Sequence, residues 1–288
     1  RSTPKPSSAA SDVYKRQVYK LEHIVNTWED TFEEHVKSIC AKADEIWSKT
    51  LTNLVEVARG MDYLYRVVRH YYLLGKKTSN IYIALQIQMQ MPQLMEIAEA
   101  YRQACYAFTQ GQPIGDGVGV LAVAKLVEGL EKKTYQVAKD TIVHELEMDG
   151  RKIFVLRAAG PGGTVGKPAD GVLKILESEG DRVKAIIMID AGLKLEGEES
   201  GKVVEGIGAA IGGIGVDKYK IEEASKKRNI PLYAFVIYQS IGEAITPMKK
   251  SIAKAAEETA EKVRKLISSK VEKGFSVIVA GIGNTVGI

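Results

Sequence analysis

Two stretches of this chain read almost alike. Residues 159–166 are Ala-Gly-Pro-Gly-Gly-Thr-Val-Gly and residues 280–287 are Ala-Gly-Ile-Gly-Asn-Thr-Val-Gly, a shared Ala-Gly-x-Gly-x-Thr-Val-Gly. Each follows an apolar run, Lys152–Ala158 (KIFVLRA) and Phe275–Ala280 (FSVIVA). A buried-looking strand that empties into a glycine-rich loop is where α/β proteins place ligands, because glycine lets backbone N–H groups turn toward a bound anion. In a parallel sheet all strand C-termini share one edge, so the pattern predicts that the two loops lie side by side and form one composite site.

The segments around these loops alternate. Thr141–Met148 and Arg151–Ala158 flank Asp149-Gly150, which suits a type I′ hairpin turn. Then come helix 168–178, strand 183–190, a Gly/Glu-rich stretch, helix 221–228, strand 231–238, helix 246–270 and strand 275–280. The expected fold is an α/β C-terminal domain, Rossmann-like, with a mostly parallel sheet and an antiparallel edge hairpin. Upstream the spacing is helical. Apolar residues recur at three and four from Tyr19 to about Thr50, a second helix runs to about Leu74 with its cap at Gly75–Thr78, and a third spans Asn80–Thr109 with Pro92 as a kink. Helix is likewise expected over Val118–Lys139. An all-α domain over residues 18–139 therefore precedes the α/β domain over 140–288.

Residues 1–17 form neither kind of segment. They are Ser/Pro/Ala-rich, and DVYKRQ at 12–17 reads as a cloning or assembly remnant, a non-native and disordered leader. The leader holds Arg1, Lys5, Lys15 and Arg16 against Asp12, which leaves 36 basic against 35 acidic side chains in the rest of the chain. The net charge of +4 therefore makes no case for nucleic acid. Cys40 and Cys105 lack CxxC spacing and read as buried free thiols. The longest uncharged run, Thr78–Met95, holds four glutamines and a proline and is too polar for a lipid-exposed span.

The first loop falls short of two phosphate-binding patterns. Gly166-Lys167 matches the end of a P-loop, but Pro161 and Pro168 occupy positions that need glycine and a hydroxyl. Gly160, Gly162 and Gly166 give GxGxxxG rather than GxGxxG, with Asp190 where a ribose-binding acid would sit. Two readings remain: an anion held by Gly160, Gly162, Gly163, Thr164, Gly166 and Lys167 with Gly281, Gly283, Asn284 and Thr285, or glycines that serve packing alone. Asp190 closes an apolar strand and, with Glu196 and Glu198, is the candidate Mg2+ site; the bland alternative is a charged surface loop. The Gly206–Gly215 cluster (GIGAAIGGIG) must pass close to a ligand or a neighbouring helix. Gly111–Gly119 is either a helix connection capped by Asp116 or a loop reaching into the cleft. His144-Glu145 lacks the second histidine of HExxH, and no Gly-x-Ser-x-Gly is present.

Val67–Lys77 (VVRHYYLLGKK), Gly111–Gly119, Gly160–Lys167, Leu195–Gly215 and Ala280–Gly287 together resemble the archaeal family known as domain of unknown function 1512. The resemblance covers the chain after Gln17. It implies full-length relatives with an N-terminal hydrophobic anchor, hence a protein on the cytoplasmic side of the membrane, and it implies no activity. The expected ligand is a phosphorylated metabolite or nucleotide. The competing expectation is a membrane-associated structural or regulatory scaffold.

Overall fold

The computed structural model describes residues 20, 23–24, 27–28, 30–212 and 215–288; the leader expected at 1–17 lies outside them. After helical residues 30–39, two long helices form a hairpin, α1 (Glu45–Thr78) and α2 (Ile81–Gln110). Asp44 caps α1 by accepting from Trp47 N at 2.7 Å, and Asn80 caps α2 by accepting from Tyr82 N at 2.9 Å. The first helix does not stop at Gly75. It continues to Thr78, and Ser79 takes the left-handed conformation that closes it. At Gly75 and Gly60 the two helices come close enough that Ile83 and Tyr101 occupy the space of a side chain. Among the described residues no helix is long and apolar enough to cross a membrane.

Helix α3 (Val118–Leu126) ends well short of the Lys139 that its sequence suggested, because Lys133–Ala138 pairs as strand β1 with β2 (Thr141–Met148). Thr134, Tyr135 and Val137 favour a half-buried strand over a helix, and Gly129 at φ 73 has already turned the chain. The hairpin expected at Asp149-Gly150 forms, with both residues at positive φ, and leads into β3 (Arg151–Ala158). There follow α4 (Pro168–Glu179), β4 (Val183–Leu193), β5 (Val203–Ile207), α5 (Val216–Arg228) and β6 (Leu232–Gln239). A short helix, α6 (Ile241–Ile245), precedes Pro247, and the helix expected over 246–270 begins only at Lys250, as α7 (Lys250–Lys270). Strand β7 (Ser276–Gly281) comes last.

The seven strands lie in the order β1-β2-β3-β7-β4-β6-β5. The central four are parallel, with antiparallel strands at both edges, so the sheet is mixed. Insertion of β7 between β3 and β4 departs from the 3-2-1-4-5-6 order of a dinucleotide-binding sheet. Helices cover both faces. On one, Ile187, Val155 and Val277 pack with Val123, Ile252 and Val263 of α3 and α7. On the other, Phe154, Ile186 and Met188 pack with Val172 and Ile221 of α4 and α5. Every residue of β7 is buried, as an apolar strand between two helix layers must be. Helix α3 thus rests on the sheet, and β1 extends it, although both precede residue 140.

Candidate functional site

Strands β3 and β7 are parallel, hydrogen-bonded neighbours, which brings the two glycine-rich loops together at one sheet edge. The register sets Leu156 opposite Ala280, so the two copies are staggered along the strands rather than aligned. Their contact is direct: Thr285 donates from its backbone N and its Oγ1 to Gly162 O, at 3.0 and 3.3 Å. A Cβ at Gly160 would press on Thr285, and one at Gly283 would overlap the Asp116 carbonyl. Several of the glycines are therefore places where backbone meets backbone or a buried side chain.

A cavity of about 650 Å³ opens beside these loops at the C-terminal edge of the parallel strands. Of the residues proposed from sequence, Gly163, Thr164, Gly166, Lys167, Gly283 and Asp190 line it. Gly160 and Gly162 lie in the loop-to-loop contact, and Gly281 packs against Gly119 and Val123 of α3. Asn284 and Thr285 do not reach the cavity. Both are buried and spend their hydrogen bonds on protein: Asn284 Nδ2 donates to Asp116 Oδ2 at 3.0 Å, and Asn284 Oδ1 accepts from Val286 N at 3.0 Å.

The metal constellation is not assembled. Strand β4 runs past Asp190 to Leu193, and Lys194 N continues toward β6 by donating to Gln239 O at 2.9 Å, which carries the glutamate loop away from the cavity. There Glu198 accepts from Leu195 N at 2.9 Å and pairs with Lys202, and Glu196 is exposed. Among the described residues no group of three or more His, Cys, Asp or Glu side chains is placed to hold a metal.

Asp190 faces Asp116 instead. Burial, then the neighbouring Asp116 charge, pushes the Asp190 carboxyl up to about 7, against the pull of N–H donors at Ala191 (2.7 Å) and Gly212 (3.2 Å). Gly212 and Gly215 of the second glycine cluster line the cavity; Gly213 and Ile214 fall outside the described residues. The Gly111–Gly119 turn supplies Asp116, in keeping with the reading that it enters the cleft.

The roof of the cavity comes from the helical region, which the sequence reading missed. Lys49 and Asn53, one turn apart on α1, are both buried and both line the cavity. The β3–α4 loop packs straight onto them: the missing side chains of Gly162 and Gly163 leave the room that Lys49 and Asn53 fill. Lys49 Nζ lies 3.8 Å from Glu45 and 3.9 Å from Asp140, and Lys139 pairs with Asp30 at 2.5 Å. The Asp30 contact holds the Lys139 amine above its usual range. The sequence signal for the roof is slight, since the buried residues of α1 are Ser48, Lys49, Asn53 and Val57 and mark no apolar face.

Family models match nearly all of the chain. Residues 17–111 match the protein of unknown function (DUF1512) N-terminal domain, and residues 114–288 match the domain of unknown function (DUF1512) C-terminal. The chain belongs to the DUF1512 family. The boundary between the two DUF1512 models falls at the Gly111–Gly117 turn, so α3 and β1 go with the sheet on which they pack. The comparison with curated proteins finds no match.

Proposed function

We propose that the cleft binds a small molecule bearing a phosphate group, a phosphorylated metabolite or a nucleotide. One observation carries this reading: a cavity of about 650 Å³ at the C-terminal strand edge is lined by the glycine-rich Gly163–Lys167 loop, by Lys49, Lys139 and Lys167, and by the Asp116–Asp190 carboxylate pair among further acidic side chains. That volume lies in the range of sites for small ligands, roughly 300–1,000 Å³. The anionic group would lie against Gly163–Lys167, where the loop brings backbone donors, Lys167 a cation, and Lys49 and Lys139, which face Asp140 and Asp30, could turn to it. The hydroxyl-rich end, or a Mg2+ ion arriving with the phosphate, would meet Asp116 and Asp190. Mg2+ commonly takes only one or two protein carboxylates and completes its shell with phosphate oxygens and water. The missing third carboxylate is therefore compatible with a metal brought by the ligand.

The test is a thermal-shift and calorimetric titration of the chain with inorganic phosphate, ribose 5-phosphate, AMP and ADP, each with and without Mg2+. At least one should raise the melting temperature, and Lys49→Met and Asp190→Asn should each weaken it about ten-fold or more, the loss of one charged hydrogen bond. No shift from any of them at millimolar concentration, or full affinity in both variants, would refute the reading.

A further inference from the structure

The cavity has an aromatic end as well as a glycine-rich one. Phe32, half-buried in the helical residues 30–39, lines it. Trp28 stacks on Phe32 with ring centroids 5.6 Å apart and planes 1° from parallel. The Arg59 guanidinium of α1 lies 4.9 Å from the Trp28 centroid and 5.0 Å from that of Phe32. Neither Trp28 nor Arg59 lines the cavity, so the two hold the Phe32 ring from behind.

We infer that the ligand of this cleft is a nucleotide rather than a phosphorylated sugar, with its phosphate at Gly163–Lys167 and its base stacked at Phe32. The inference rests on the phosphate-binding reading given above. Three relationships carry it. The first is chemical: a base offers a flat π-face, and an aromatic ring held in place by its neighbours is a stacking platform for any base. Its orientation is set before the ligand arrives, so little freedom is lost on binding.

The second is length. On α1, Asn53 packs against Gly163 of the loop, and Arg59 packs against Phe32. Six residues of helix separate them, about 9 Å at 1.5 Å per residue. A ribose bridges a gap of that order between its 5′-phosphate and its base. The third is charge. Asp30 and Glu33 flank Phe32 in the chain, Glu56 lies one turn before Arg59, and all three line the cavity. Carboxylates at this end oppose a phosphate there and leave it to the uncharged base. The ligand therefore has one orientation.

The experiment is calorimetry of the full chain with ribose 5-phosphate and with AMP, GMP, CMP and UMP, each with and without Mg2+. The tightest of the four nucleotides should bind at least ten-fold more tightly than ribose 5-phosphate, the worth of one stacked base. Phe32→Leu should remove that advantage and leave ribose 5-phosphate affinity unchanged. Phe32→Tyr, which keeps the ring, should keep the advantage. Trp28 and Trp47 are the two tryptophans of the chain. In a Trp47→Phe background the emission of Trp28 should therefore change with the nucleotide and not with ribose 5-phosphate. Two results would overturn this inference while leaving the phosphate reading intact: no nucleotide binding better than ribose 5-phosphate, or a Phe32→Leu loss shared equally by both kinds of ligand. Binding of none of the five would overturn both.

Discussion

Asn284 donates from Nδ2 to Asp116 Oδ2 at 3.0 Å, tying the loop after the central strand to the turn that begins the first sheet-covering helix. The same amide accepts from Val286 N through Oδ1, so one buried side chain fixes both the loop and the carboxylate that faces Asp190. Replacing Asn284 with Ala should cost about 1–3 kcal/mol, because the buried Val286 N–H loses its partner and Asp116 loses a donor. Urea denaturation measures the loss. Asn284→Asp should cost more, since it sets a second carboxylate against Asp116.

Stability should depend on pH through two groups of opposite sign. The folded state holds the Asp190 proton up to about 7, while the unfolded chain releases it near 3.8. The Asp190 contribution is thus complete below about 3.8 and is lost as pH rises toward 7. His144 behaves in the opposite sense. Burial, then the Arg157 charge, pushes its imidazole from 6.5 down to about 4. Arg157 Nε donates to His144 Nε2 at 3.1 Å, which leaves Nδ1–H to donate to Thr134 Oγ1 at 2.7 Å. Its contribution is present above 6.5 and lost as pH falls toward 4. Unfolding free energies of wild type and Asp190→Asn between those limits separate the two, since the variant should retain only the acid-side loss.

Gly166 and Gly129 both have positive φ, at 76 and 73, but differ in surroundings. A Cβ at Gly129 meets nothing within 4 Å, whereas at Gly166 it would overlap the Asp140 carbonyl and lie 2.5 Å from Thr141 Oγ1. Gly129→Ala should cost about 1 kcal/mol, for backbone strain alone. Gly166→Ala should cost about 2–4 kcal/mol, the strain plus the displacement of its neighbours. Thermal denaturation of the pair checks the difference; equal losses would mean that the Lys139–Thr141 turn yields freely.

Arg151 is buried under the end of α7, where Nε donates to Val271 O at 2.6 Å and a second nitrogen to Ser268 O at 3.1 Å. Arg151→Met should cost about 2–3 kcal/mol, since the carbonyls at a helix C-terminus lose a charged donor. Arg151→Lys should recover little of it, because a single ammonium cannot reproduce the fork.

The strands buried on both faces were readable from sequence because their apolar runs are unbroken and their hairpin and loops are marked by glycine. The edges were not. β1 lay hidden in a stretch taken for helix, and β5 (Val203–Ile207) in a Gly/Glu-rich segment, since an edge strand is half exposed and carries little apolar pattern. At the site, Gly163–Lys167 and Asp190 could be placed because strand ends define the ligand edge. Asn284 and Thr285 resembled ligand contacts, since a polar residue in a glycine-rich loop looks available until its buried partners are known. Lys49 and Asn53 could not be placed, because they reach the cleft only through packing across more than a hundred residues of chain.

The position of β7 governs the order in which this sheet can be completed. Of the seven strands it is the last to be synthesised, and it fills the slot between β3 and β4. Until residue 281 leaves the ribosome, those two strands each present an unpaired inner edge flanked by apolar side chains. Nascent chains should therefore stay sticky until β7 has emerged and become protease-resistant in one step, when it slides in and closes the sheet.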